Sequence, residues 1–162
     1  MPQPSFSIRP ALPGDCQTLV ALIHELSVYE RLEAKVSADD LQHNLFGSRP
    51  YAEAMIAEVE GEAVGYALFF HNFSTFRGQP GLYLEDVFVR PSYRGRGIGR
   101  AFLESLAKLA MQRGCDRIEW IVLDWNDSAI QFYRSLEASP MREWTIFRLA
   151  DGPLVRLAGQ RE

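Results

Sequence analysis

The sequence predicts a mixed α/β domain with a central, mostly antiparallel sheet of six to seven strands flanked by about four helices. Three observations carry that expectation. The apolar runs Ala54 to Val59 and Ala63 to Phe70 are joined by Glu60-Gly61-Glu62, the mark of an antiparallel hairpin. Leu82 to Val89 and Ile118 to Leu123 are apolar strands separated by an amphipathic helical stretch, which makes a strand-helix-strand unit. The chain has 162 residues, 47% of them hydrophobic and 12% aromatic, enough for one core. A single domain over residues 1–162 is therefore expected, with its core at about residues 6–150.

Taken in order, Phe6-Ser7-Ile8-Arg9 alternates apolar and polar and reads as a strand ended by Pro10 and the Pro13-Gly14 turn. Asp15 then caps a helix whose Leu19, Leu22, Ile23 and Leu26 face the sheet, leaving Glu25 and Arg31 solvated. Ser37 to Asp40 opens a short second helix as a capping-box variant, ending near Gly47. After the hairpin, Phe73 to Gly81 reads as a loop, and its Phe73 and Phe76 predict that it folds over something. Leu82 to Val89 is stopped by Arg90-Pro91, and Ile98 to Arg113 is a helix with Phe102, Leu103, Leu106, Leu109 and Ala110 on one face, ending at Gly114. Ile118 to Leu123 is a buried strand, Asn126 or Asp127 caps a helix through about Leu136, and Thr145 to Leu149 is a late strand. Leu154 to Leu157 is a possible short terminal strand.

Composition narrows the function classes. Net charge is −4, which argues against a nucleic-acid surface and is compatible with a small cationic ligand. The longest apolar stretches are too short to span a bilayer, and Met1 to Pro10 lacks the layout of a signal peptide, so a cytoplasmic location follows by default. Cys16 and Cys115 form no framework and read as buried apolar residues, while His24, His43 and His71 lack metal-ligand spacing. No G-x-S-x-G elbow accompanies them, so neither metal nor acyl-enzyme chemistry is supported.

The segment Arg94-Gly95-Arg96-Gly97-Ile98-Gly99-Arg100 stands between a strand and a helix. Glycines there let the backbone approach a ligand and aim several N–H groups at one anion, and the arginines add positive charge that can pair with phosphate oxygens. A dinucleotide turn needs a third glycine where Arg100 stands, and a nucleoside-triphosphate loop needs G-x-x-x-x-G-K-[ST], which is absent. What remains is R-x-x-G-x-G. It resembles the acetyl-CoA motif of the GNAT acetyltransferases, whose fold the element order matches. Over nearly the whole chain the sequence is similar to the spermidine/spermine N-acetyltransferase branch and its bacterial relatives. The landmarks are Phe6 to Pro10, Leu26-Ser27-Val28-Tyr29-Glu30, Leu82-Tyr83-Leu84-Glu85-Asp86, and Asp124-Trp125-Asn126 through Phe132-Tyr133.

The resemblance implies coenzyme A along Val87, Phe88 and Val89, whose splayed strand offers N–H groups to the thioester oxygen, and on Arg94 to Arg100, with Asn126 as a further contact. It implies Tyr133 as the acid that protonates the sulfur, Glu85 as the group that binds the amine and removes its proton through water, and Tyr29 and Glu30 as a second amine contact. Glu119, Trp120 and Glu143 are further substrate-side candidates, and His71 reads first as a hydrogen-bonding loop histidine, with an alternative base as its second reading. Adjacent strand residues point to opposite faces, so only one of Glu85 and Asp86 is expected to face a given cleft. The family often supplies a partner subunit, so a homodimer is expected. The implied activity is acetyl transfer to a small polyamine-like or lysine-like amine. The rival readings are another acceptor, such as a protein N-terminus, an amino sugar or another amino acid, and a non-catalytic acyl-CoA-binding module. One departure stands out: Glu137 occupies a place where the family commonly has glycine.

Overall fold

The computed structural model describes residues 5–160; Met1 to Pro4, part of the stretch read for a leader, and Arg161-Glu162 lie outside the described residues. The chain divides into two units, residues 1–121 and residues 122–162. In the first, β1 (Phe6–Pro10), β2 (Glu53–Val59), β3 (Glu62–Ser74), β4 (Gln79–Val89) and β5 (Ile118–Glu119) lie side by side in chain order. The first three pairings are antiparallel, and β4 with β5 is parallel. Helices α1 (Cys16–Glu30), α2 (Ala38–Phe46) and α3 (Ile98–Gln112) complete this unit.

The helical periodicity read from the sequence is the packing that forms. Leu19, Leu22 and Leu26 of α1 and Leu41 and Leu45 of α2 bury against Ile56, Tyr66 and Phe88 of the sheet, each such side chain contributing about 1.5–3 kcal/mol. Helix α3 buries Ile98, Phe102, Leu103, Leu106 and Ala110, and Gly114 in the left-handed region follows its last turn. The Ser37 capping box forms with Asp40. Asp15, by contrast, does not cap α1 with its side chain. Its carboxylate is taken by Arg9 at 2.7 and 2.9 Å and by the Leu12 N–H, because a charged fork competes better for it than the helix amides. Glu25 is likewise not merely solvated: Arg90, just past β4, bonds it at 2.8 Å and also Glu62 at 2.7 Å.

Two strand expectations are corrected here. Residues 73–81 are not a loop folded over a neighbour. Strands β3 and β4 run on through Phe73↔Pro80 and Ser74↔Gln79 to a tight turn, where Phe76 stands 98% exposed. The strand expected over Ile118 to Leu123 pairs only at Leu82↔Ile118 and Tyr83↔Glu119.

The register of β4 against β3 shifts once. Leu68 faces Asp86 and Phe69 faces Leu84, so Glu85 is an extra residue, a β-bulge. Main-chain bonds show the consequence. Leu82 N–H donates to Arg117 O on the β5 side, whereas Arg90 N–H donates to Val64 O on the β3 side. Both positions are even, so the alternation of the ladder has been reversed between them, as one inserted residue requires.

The second unit contains α4 (Asp127–Ser135) and α5 (Asp151–Leu157). Asn126 caps α4, its side chain accepting from Ala129 N–H at 3.3 Å. No strand forms at Thr145 to Leu149 in this unit: alternation alone holds no strand without a paired neighbour, and Phe147 is 92% exposed. Leu154 to Leu157 is helical, not extended, because Pro153 lies in the first turn of α5, where no N–H is missed. Glu137, after α4, has φ 63°, so the side chain sits where glycine is favoured. Glu137→Gly should remove about 1 kcal/mol of strain and raise the melting temperature by on the order of 2–4 °C. A calorimetric melt that is unchanged or lower would contradict that assignment of strain.

Candidate active site

The glycine-rich turn has the geometry of an anion cradle. Gly95 and Gly97 take φ 74° and 84°, and a side chain built on either meets nothing within 4 Å, so the space beside the main chain is open. Gly97 is the N-cap of α3 and offers no side-chain cap. The first intrahelical bond there is Ala101 N–H to Gly97 O, which leaves the N–H groups of Ile98, Gly99 and Arg100 without an intrahelical acceptor at the positive end of the helix dipole. These residues fit a pyrophosphate. The arginines divide the work. Arg100 is exposed. Arg96 sits 4.9 Å over Tyr93 and bonds Ser92 O, and Arg94 donates from Nε to Val89 O at 2.9 Å while stacking 4.6 Å over Tyr29. Arg94 thus braces α1 against the turn while remaining exposed.

The strand feeding the turn has an open edge. β5 pairs with β4 only at Leu82 and Tyr83, and among the described residues the sheet gives β4 no further partner on that side. Past the bulge, the even residues turn their N–H groups to β3, as Arg90 shows, so Val87 and Val89 turn theirs to the open edge. Phe88, paired with Tyr66, does not. The run Val87 to Val89 thus narrows to its two outer members as donors.

Carboxylates gather around the bulge. Glu85 is exposed; Asp86 is partly buried, and its Oδ2 accepts from the Tyr66 hydroxyl at 3.0 Å. Tyr66 is fully buried in the core between the sheet and the first two helices. Burial, with the negative charges of Glu85 and Glu30 added, pushes the Asp86 carboxyl up to about 6 even though the Tyr66 bond opposes the rise. The same burial and the same carboxylates keep the Tyr66 hydroxyl protonated. Glu30 is the last residue of α1, where a negative charge opposes the helix dipole, and burial raises its carboxyl too. Tyr83, raised by burial and by Glu85 and Glu119, stacks on Phe70 with centroids 5.1 Å apart. Asp86 bonds Tyr66, whereas Glu85 is the unpaired, exposed residue of the bulge, and its negative charge still acts on both of them.

Other candidates are placed differently. Glu119 is bonded by Arg117 at 2.9 Å and Asn72 at 2.7 Å and braces β5, and Trp120 follows it, partly buried. His71 lies on β3 beside Arg113 and its partner Glu53, apart from the carboxylates around the bulge. In the second unit, Tyr133 packs on Phe132 with centroids 5.4 Å apart, Asn126 is buried as the α4 cap, and Glu143 is exposed in an irregular segment. Sequence reasoning missed Tyr66 altogether; its only signal is a hydroxyl in the middle of an apolar strand.

Comparison with known proteins agrees with this geometry. The Acetyltransferase (GNAT) family model matches residues 19–137. A thialysine N-epsilon-acetyltransferase of Bos taurus is 37% identical over 166 residues, covering 94% of this chain and 97% of its own length. An L-ornithine N5-acetyltransferase of Arabidopsis thaliana is 30% identical, covering 91% and 85%. Among solved structures, an integron cassette protein from the mobile metagenome of V. cholerae matches with a TM-score of 0.82 at 28% identity, covering 95% of this chain and 98% of its own. With a glycine-rich turn at the end of a bulged, open-edged strand and a family model that spans most of its length, the chain belongs to the GNAT family of N-acetyltransferases.

Proposed function

We propose that the chain transfers acetyl from acetyl-CoA to the primary amine of a small cationic acceptor, polyamine-like or lysine-like, by direct attack without an acyl-enzyme. The observation that carries this reading is the placement of Glu30, Glu85 and Asp86 around the bulge of the same strand that ends in the anion-binding turn. Two relatives named for acetylating thialysine and ornithine support the choice of acceptor.

When bound, the donor supplies an acetyl thioester, and the chain's own groups do the rest. The N–H groups of Ile98, Gly99 and Arg100 hold the pyrophosphate, and those of Val87 and Val89 face developing negative charge on the thioester oxygen. Glu85 binds the ammonium and takes up its proton through water, with Glu30 and Tyr29 as the second amine contact. Tyr133 gives a proton to the departing sulfur. Asn126, already the cap of α4, contacts the donor as well. A homodimer belongs to this reading.

The reading is tested by thiol release from acetyl-CoA across polyamines, lysine analogues and amino sugars. Turnover is expected with the first two classes, and silence with every small amine would overturn the reading. Tyr133→Phe should lower turnover by on the order of 100-fold or more while acetyl-CoA affinity survives; equal turnover would remove Tyr133 from the chemistry. Glu30→Gln should separate function from stability. Because burial raises the Glu30 carboxyl in the folded state, its ionised form costs stability as pH rises through the carboxylate range, and the cost is fully present at pH 7. The neutral variant should therefore melt on the order of 1–2 °C higher at pH 7, while KM for a diamine rises severalfold. A lower melting temperature with unchanged KM would contradict both roles.

A further inference from the structure

Four partly buried carboxylates of the first unit are matched by arginine: Asp15 and Glu58 by Arg9, Glu25 by Arg90 and Glu119 by Arg117. Asp86 differs. Its partner is the neutral hydroxyl of Tyr66, and the charged groups that act on it are all carboxylates: Glu85 from its own strand and Glu30 from the end of α1, with Tyr66 the titratable group on β3. Tyr66 is 0% exposed, its ring locked in the core with Leu22, Leu26 and Phe88. The hydroxyl therefore cannot swing away, and it stays a donor because its own ionisation is suppressed. At the bulge the exposed Glu85 is followed in the chain by Asp86, partly buried against Tyr66, and the Glu85 charge acts on it.

We propose that Asp86 receives, by way of Glu85, the proton removed from the acceptor amine, and that Tyr66 is the positioning residue that holds Asp86 for this task. The inference rests on the acetyl-transfer reading above and deepens it. A cationic acceptor enters as an ammonium and leaves as an amide, so its nitrogen loses two protons. The first passes to Glu85 and on to the Oδ1 side of Asp86, since Tyr66 occupies Oδ2, and from there to solvent. The amine lone pair then forms the C–N bond, the C–S bond breaks with its electron pair going to sulfur, and Tyr133 protonates that sulfur. The second nitrogen proton makes up the one Tyr133 has given, so the sum is ammonium plus acetyl thioester to amide, thiol and one released proton. A carboxyl held near 6 suits a proton that must be accepted and released each turnover near neutral pH. Without the Tyr66 bond the same carboxyl would hold its proton too firmly.

The test uses the whole chain with spermidine or thialysine as acceptor, comparing wild type, Tyr66→Phe and Asp86→Asn. Two readouts are needed: the pH profile of kcat/KM, and a side-chain carbon NMR titration of Asp86 without ligand. In Tyr66→Phe the Asp86 titration and the acidic limb of the profile should both move up by about half to one pH unit, the size of one lost hydrogen bond. Turnover at high pH should be retained. Asp86→Asn keeps an acceptor for Tyr66, so it should fold; it should lose that limb and on the order of 10-fold or more in kcat, with KM little changed. If Asp86 titrates higher in Tyr66→Phe while the limb stays put, the relay is overturned although the hydrogen bond is real. Wild-type kcat and limb in Asp86→Asn would overturn it as well, and this variant decides the matter if Tyr66→Phe does not fold. Silence of the wild type with every amine would overturn the acetyl-transfer reading and the relay with it, whereas normal turnover with unmoved limbs overturns the relay alone.

Discussion

A single extra residue in the ladder between β3 and β4 sets the direction of everything downstream of it. Upstream of Glu85, Leu82 gives its N–H to the β5 side; downstream, Arg90 gives its N–H to the β3 side. The same reversal turns Asp86 and Phe88 toward Tyr66, while Leu84 two residues earlier is opposite Phe69. Without the bulge, Val87 and Val89 would point their N–H groups into the ladder, and Asp86 would lie on the other side of the sheet. A continuous pairing would be the more stable strand. On the proposed reading, the irregularity is the cost of giving one strand an amine-facing part and a donor-facing part.

Electrostatics follow the same division. Away from the site, charges are matched: Arg9 gathers Asp15 and Glu58, Arg90 gathers Glu25 and Glu62, and Arg117 joins Asp116 and Glu119. Around the bulge, the carboxylates act on one another instead, and the carboxyls of Asp86 and Glu30 are raised. On the acetyl-transfer reading, this cluster of negative charge is complementary to a cationic acceptor. Arg94 links this region to the glycine-rich turn, since it stacks on Tyr29, next to Glu30, and holds Val89 O.

Much of the fold was legible because local chemistry and tertiary need agree. The Glu60-Gly61 turn, the apolar face of α3, the Ser37 capping box and the Asn126 cap each satisfy groups within a few residues of themselves, so the sequence alone fixes them. The elements that escaped depend on a distant partner. Asp15 looks like a cap until Arg9 claims it, and Glu25 looks solvated until Arg90 reaches it from past β4. Residues 145–149 alternate like a strand yet have no strand beside them. The bulge leaves no mark at all, since Glu85 is neither glycine nor at positive φ, and only the register exposes it. That is why the Glu85-Asp86 pair could be found while its geometry, and Tyr66 behind it, could not.

The central claim, that β4 past its bulge and the turn that follows together form the donor site, is open to residue-resolved amide hydrogen exchange with and without acetyl-CoA. Binding should slow exchange at Val87, Val89, Ile98, Gly99 and Arg100, and leave Phe88, whose N–H already faces β3, nearly unchanged. Protection of Phe88 equal to that of its neighbours, or no protection at Ile98 to Arg100, would contradict it.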